Sequence, residues 1–282
     1  MEKILITGIN GFIGNELFSF LVKKKLNIFG TINSNKKKNN IIKKFNNKII
    51  NEKIFSINLL KKKEVTNLIK KIKPDIIFHF AGNTRKFKKY NNQYFITKNI
   101  VEAISKETLF VFPSTDKIYI NSPKDNLENS KIINKFDNLY EKQKINCEKF
   151  IKKKLKKYFI LRLGIVHSTG KIDYFKKSII DQILVNLKNK KKSIVFKNIY
   201  RSFCKINELN KFLLNFVIYK KNKDYGIYNI GSKNYSYFER VQKLARIKKL
   251  NINKIVPTLG NITPLKQELN TEKINKKGFF FS

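Results

Sequence analysis

Three residues of this chain could together move a proton and steady a hydroxyl: Thr115, Tyr140 and Lys144. A tyrosine working as acid or base near neutral pH needs its pKa of about 10 brought down, and a cation held beside it does so by favouring the phenolate. Lys144 follows Tyr140 by four residues, which places both on one face of a helix. The Thr115 hydroxyl could hold the oxygen that exchanges a proton with the phenol, while hydride moves at the attached carbon. Each residue also has a plainer reading. A Tyr-x-x-x-Lys spacing arises by chance in so lysine-rich a chain, and Thr115 serves equally as a strand-end cap. Arg201 is the candidate for gripping a substrate diphosphate, because the guanidinium fork suits phosphate; its alternative is a surface ion pair. His79 and His167 read as structural, since the trio already supplies the proton chemistry.

A second chemical feature lies at the start, where the apolar run Lys3-Ile4-Leu5-Ile6-Thr7 breaks into Gly8, Gly11 and Gly14 and then turns helical. Gly8 allows a sharp turn, Gly11 lets backbone approach a pyrophosphate, and Gly14 lets the helix pack against the strand. The helix N-terminus offers donors and partial positive charge to phosphate. The residues after the second strand are Asn33, Ser34, Asn35 and Lys36, with no carboxylate before Glu52. An acidic side chain there would bind the adenosine ribose, so its absence tilts the cofactor expectation toward NADP(H) over NAD(H).

The elements needed to position these groups follow from periodicity. The pattern predicts a helix over 12–24, strands over 26–32 and 54–57, a helix over 64–72 stopped ahead of Pro74, and a strand over 75–80. A helix over 92–106, a strand over 109–112, a helix from Tyr140 and a strand over 158–166 complete the rhythm. Such alternation implies an α/β, doubly wound parallel sheet whose ligands bind at the carboxyl ends of the strands. Farther on, helices are expected over 174–187, 208–219 and 237–248, with strands over 194–196, 226–230 and 254–256. The tail, 264–278, has little periodicity.

Composition bounds the reading. At 282 residues and 41% hydrophobic, the chain supports a packed core. A formal charge of +41 invites nucleic acid as a partner, but the excess is nearly all lysine, with five arginines, and accompanies abundant Asn, Ile and Phe. A codon bias toward these residues accounts for it as well as a partner does, and no nucleic-acid-binding motif is visible. No apolar run reaches transmembrane length and no leader pattern opens the chain, so a soluble, cytoplasmic protein without membrane partners is expected. Cys147 and Cys204 show no metal or redox spacing, so no metal is expected.

In this order, Thr7-Gly8-x-x-Gly11-x-x-Gly14, His79-Phe80-Ala81-Gly82, Asn99, Ser114-Thr115, Tyr140-x-x-x-Lys144 with Glu148, Leu161-Arg162-Leu163-Gly164, Arg201-Ser202-Phe203 and Tyr228-Asn229-Ile230-Gly231 resemble the extended short-chain dehydrogenase/reductase (NAD-dependent epimerase/dehydratase) family. The resemblance spans essentially the whole chain. It implies an NAD(P)-binding Rossmann domain over 1–166, with return segments at about 201–231, and a substrate-binding region mainly over 167–282. It implies cofactor contacts from Gly8, Asn10, Gly11, Phe12, Ile13, Gly14, Asn33, Asn58 and Leu59. Ala81, Gly82, Asn83, Asn99, Ser114, Tyr140 and Lys144 continue that set, and Asn83, Thr115 and Arg201 would meet a nucleotide-sugar substrate. Within the family, Ser114-Thr115-Asp116 and the tail from Pro264 to Lys273 look most like the dTDP-4-dehydrorhamnose reductase branch, which implies reduction of a 4-keto nucleotide sugar. A nucleotide-sugar epimerase is the first alternative, and a non-catalytic nucleotide- or RNA-binding relative the second. The family also implies a homodimer formed through the helices carrying Asn99 and Tyr140. Three positions depart from its pattern: Asn58 and Asn270 stand where aspartates are usual, and Asn207-Glu208 replaces another aspartate.

Overall fold

The computed structural model describes residues 2–35, 41, 52–82, 92–120, 126–133, 139–168, 178–219, 223–261 and 266–282. A seven-stranded sheet is built from β1 (Ile4–Thr7), β2 (Ile28–Ile32), β3 (Ile54–Ser56), β4 (Ile76–His79), β5 (Leu109–Thr115), β6 (Tyr158–Leu163) and β10 (Gly226–Ile230). Its spatial order is β10-β6-β5-β4-β1-β2-β3. β1 pairs in parallel with β2 and β4, as do β2 with β3 and β4 with β5. These strands are unbroken apolar runs because helices cover both faces. In register, Leu5 sits beside Phe29 and Ile77, and that face packs on α2 (Lys62–Ile72), α3 (Asn92–Ala103) and α4 (Leu139–Lys154) through Val65, Leu68, Ile69, Ile72, Ile100, Val101, Cys147 and Ile151. The other face carries Gly30, where an added Cβ would lie 3.1 Å from Phe18 of α1 (Phe12–Lys23). The doubly wound expectation is thereby met.

By contacts the chain divides into two units. The first comprises Met1–Ser114, Lys135–Leu161 and Leu214–Ile227; the second comprises Thr115–Asn134, Arg162–Leu213 and Tyr228–Ser282. The chain thus leaves the first unit after Ser114 and re-enters it twice, at 135–161 and at 214–227. The second return includes a π-helical turn, Leu213–Tyr219, from which Phe216 packs on Phe159 at 5.4 Å.

The second unit has its own core, in which Ile180, Leu184, Val195, Phe203, Val241, Leu244 and Ile255 meet. Its sheet places β9 (Tyr200–Lys205) between β11 (Asn234–Ser236) and β13 (Lys266–Gln267), with β7 (Ile165–His167) also paired to β9. A smaller pair joins β8 (Ser193–Phe196) to β12 (Ile255–Thr258). The strand expected over 158–166 therefore breaks in two. Gly164 is the hinge: a Cβ there would lie 2.4 Å from the Ser202 carbonyl oxygen, so only glycine lets β7 lie this close to β9. β11 and β13 escape periodicity because each is short and is specified by its partner β9.

Candidate functional site

The glycine turn behaves as three separate devices. Gly8 holds φ +74°, and a Cβ on it would lie 2.6 Å from Ala81 Cα, so both conformation and space require glycine. Gly14 has its Cβ direction 2.6 Å from the Gly8 carbonyl oxygen. A Cβ on Gly11, by contrast, would meet nothing of the protein closer than 3.3 Å. Gly11 is also the N-cap of α1 and gives it no side-chain cap, which leaves this helix start without the usual internal acceptor. An uncapped helix start behind a glycine turn fits a pyrophosphate. Asn10, Phe12 and Ile13 are half-buried around it, and Asn33 is exposed just past β2.

The turn is braced from below. Gly8 N–H and Ile9 N–H donate to the Thr31 carbonyl at 3.0 and 3.1 Å. The Thr7 hydroxyl accepts from Ala81 N–H at 3.1 Å and lies 2.8 Å from His79 Nδ1. Thr97 uses its only proton on the Gln93 carbonyl at 2.8 Å, so it accepts from His79 Nε2–H at 3.1 Å, and Nδ1 is left to accept from the Thr7 hydroxyl. Burial pushes His79 down to about 3, so the ring stays neutral. Gln93 also donates from its side chain to the Ala81 carbonyl at 3.1 Å. Gly82 leaves room for that amide, since a Cβ there would sit 1.9 Å from Gln93 Oε1. His79 is thus the structural histidine expected. Thr97 and Gln93 were missed in the sequence, although their i, i+4 spacing on α3 is legible there.

Asn58 is exposed just past β3. Its Oδ1 accepts from Leu60 N–H at 3.1 Å, and its own N–H donates to Glu64 at 3.1 Å. Asn99 Nδ2 donates to the carbonyls of Leu59 and Leu60, both at 3.0 Å, so Asn99 holds the loop after β3 in place. Asn83 lies outside the described residues.

Tyr140 and Lys144 share the face of α4 that meets β5. Lys144 Nζ donates to the Pro113 carbonyl at 2.6 Å and lies 4.6 Å from the Phe112 ring centroid and 5.8 Å from that of Tyr140. Burial lowers its pKa to about 8, against the opposing fields of Cys147 and Glu148. The next β5 residue, Ser114, donates its hydroxyl to Glu148. The first unit therefore brings the glycine turn, Ala81, Gly82, Asn99, Ser114, Tyr140 and Lys144 into one framework.

Thr115, Arg201 and Asp116 belong to the second unit. Thr115 Oγ1 donates to Asp116 Oδ1 at 3.2 Å and accepts from Lys117 N–H at 3.3 Å, capping the short turn Asp116–Ile118. The strand-end cap is therefore real. Arg201 is 4% exposed, so it is no surface ion pair. It donates to the Tyr200 carbonyl at 2.6 Å and its charge works against the burial that raises the Asp116 carboxyl. His167 is buried with Nδ1 2.9 Å from the Ser168 carbonyl and Nε2 accepting from Arg240 at 2.7 Å, a structural role. A further buried network joins Tyr119, Arg162 and Asn229, and Asn229 Nδ2 reaches the Asn270 carbonyl at 3.0 Å. Among the described residues no helix is long and apolar enough to cross a membrane.

The NAD dependent epimerase/dehydratase family model matches residues 4–231. Over 127 residues the chain is 31% identical to a UDP-glucose 4-epimerase of Mycoplasma genitalium, a match covering 42% of this chain and 37% of that protein. Over 155 residues it is 29% identical to a dTDP-D-glucose 4,6-dehydratase of Dictyostelium discoideum, covering 49% and 35%. These matches thus span little more than a third of the curated relatives. Its fold is similar to the crystal structure of a dTDP-4-dehydrorhamnose reductase from Bacillus anthracis in complex with NADP, at TM-score 0.78 and 19% identity over 99% of this chain and 94% of that one. It is equally similar to a UDP-glucose 4-epimerase of Thermotoga maritima with UDP-glucose, at TM-score 0.78 and 16% identity over 99% and 94%.

Proposed function

The chain belongs to the NAD-dependent epimerase/dehydratase family, and on that footing we propose that it reduces the 4-keto group of a nucleoside-diphosphate sugar, in the manner of a dTDP-4-dehydrorhamnose reductase. The observation that carries the reading is the buried Lys144 ammonium, seated on the Pro113 carbonyl 5.8 Å from the Tyr140 ring. A bound nicotinamide dinucleotide supplies hydride exchange at a sugar carbon. Gly8, Gly11, Gly14 and the start of α1 hold its pyrophosphate, and Lys144 holds its ribose. Tyr140 gives a proton to the sugar oxygen as that carbon is reduced, and the Lys144 charge favours the phenolate left behind. Thr115 and Arg201 are the second unit's proposed contributions to substrate binding, the first toward the sugar and the second toward the diphosphate. The absence of a carboxylate among Asn33, Ser34 and Asn35 favours NADP(H).

A second reading, a nucleotide-sugar 4-epimerase, is favoured by the 31% identity to the Mycoplasma genitalium protein. Absorbance of the purified protein separates the two. A nicotinamide that co-purifies and resists dialysis is the epimerase outcome; an empty protein that oxidises NADPH on a 4-keto nucleotide sugar is the reductase outcome. Neither activity, with RNA binding that falls steeply with salt, would replace both by a binding protein.

A further inference from the structure

Glu148 is a buried carboxylate, 3% exposed, that the chemistry above does not use. It follows Lys144 by one helical turn, as Lys144 follows Tyr140, so the three form a ladder on α4. β5 receives two rungs on consecutive residues: the Pro113 carbonyl accepts from Lys144 at 2.6 Å, and the Ser114 hydroxyl donates to Glu148. A buried ammonium is costly unless a fixed charge of opposite sign stands near it. The groups facing Lys144 are few. On its own helix stand Tyr140, Cys147 and Glu148; β5 brings the Phe112 ring and Pro113 carbonyl; β4 brings His79; Tyr158 of β6 lies within reach of Glu148. His79 is neutral, and burial pushes the Cys147 thiol up to about 11 and raises Tyr158 as well. The Lys144 ammonium is favoured by the fields of Cys147 and Glu148, of which Glu148 is the carboxylate; the other buried carboxylate of the helix is Glu141, three residues before Lys144.

We propose that Glu148, anchored by Ser114, is a positioning residue that keeps Lys144 charged and aimed, and so sets the upper pH at which this site binds its dinucleotide. The inference rests on the proposed binding of a nicotinamide dinucleotide by Lys144.

The test is NADPH and NADH affinity, followed by fluorescence from pH 6 to 10, in the wild type and in Glu148→Gln, which retains an acceptor for Ser114 and removes the charge. In the wild type, affinity is expected to fall above about pH 8, where Lys144 loses its proton. In E148Q the fall is expected about one unit lower, with roughly fivefold weaker binding at pH 8 and nearly unchanged binding at pH 6. Glu148→Asp is expected to restore the wild-type midpoint. A midpoint unmoved in E148Q, or a loss equal at every pH, overturns the inference. A wild type that binds neither dinucleotide overturns the proposed function instead. If E148Q does not fold, the double variant Lys144→Met with E148Q decides: recovered folding supports the charge pairing, and persistent unfolding overturns it.

Discussion

The Thr7 hydroxyl and His79 Nδ1 lie 2.8 Å apart in the interior of the first unit, and this one contact joins the glycine turn to the helix that begins the far side of the site. Thr7 ends β1, His79 ends β4, and Thr97 on α3 takes the other ring nitrogen. Burial keeps this imidazole neutral, because the charged form would lose its hydration.

Acid should therefore undo this region first. The folded pKa of His79 is about 3 against 6.5 for a free side chain, so between these values the unfolded chain binds the extra proton and stability falls as pH falls. The contribution at stake is on the order of 4 kcal/mol. Urea unfolding of the wild type and of His79→Asn at pH 7 and pH 4.5 checks it. The variant is expected to be less stable at pH 7 and to lose less on acidification. An equally steep acid loss in both would remove His79 as its source.

The three glycines should fail in different ways. Gly8→Ala and Gly14→Ala each drive a Cβ to 2.6 Å from backbone, so both are expected to lower the melting temperature markedly. Gly11→Ala brings a Cβ to 3.3 Å from the Gly8 carbonyl oxygen, a milder crowding, so it is expected to melt closer to wild type than the other two and to bind dinucleotide at least tenfold more weakly. Thermal melts beside a binding titration distinguish these outcomes. Equal melting losses in all three would contradict the separation.

Tyr140→Phe removes the proposed proton donor while leaving the ring against Lys144. Turnover on a 4-keto nucleotide sugar is expected to fall by about 100-fold or more, with dinucleotide affinity kept within about threefold. Near-full turnover in this variant would exclude Tyr140 as the acid.

In the second unit, the Tyr119 hydroxyl accepts from Arg162 at 2.8 Å and donates to Asn229 at 2.7 Å; burial holds its pKa at about 12. Tyr119→Phe strands both partners in the interior and is expected to cost about 1–3 kcal/mol in urea unfolding. A change below about 0.5 kcal/mol would show that the network is satisfied without it.

Much of the site was readable because its chemistry is local. The glycine spacing, the Tyr140–Lys144 turn and the apolar runs of β1, β4 and β5 are each set by a few neighbouring residues, and each appears where it was expected. At Asn58 the sequence does not show that a backbone N–H two residues on takes the side-chain oxygen. For Arg201 the sequence left a diphosphate contact and a surface ion pair open, and pairing of β9 on both edges buries it.

By itself, the sequence determined the doubly wound order of helices and strands, the phosphate-ready turn and the two rungs Tyr140 and Lys144, because periodicity and i, i+4 spacing are properties of contiguous chain. Tertiary structure alone decided that Pro113 and Ser114 receive Lys144 and Glu148, that His79 bridges Thr7 and Thr97, and that Gly164 turns one expected strand into two. Those outcomes depend on which distant backbone comes within 3 Å, and no local pattern encodes such a distance.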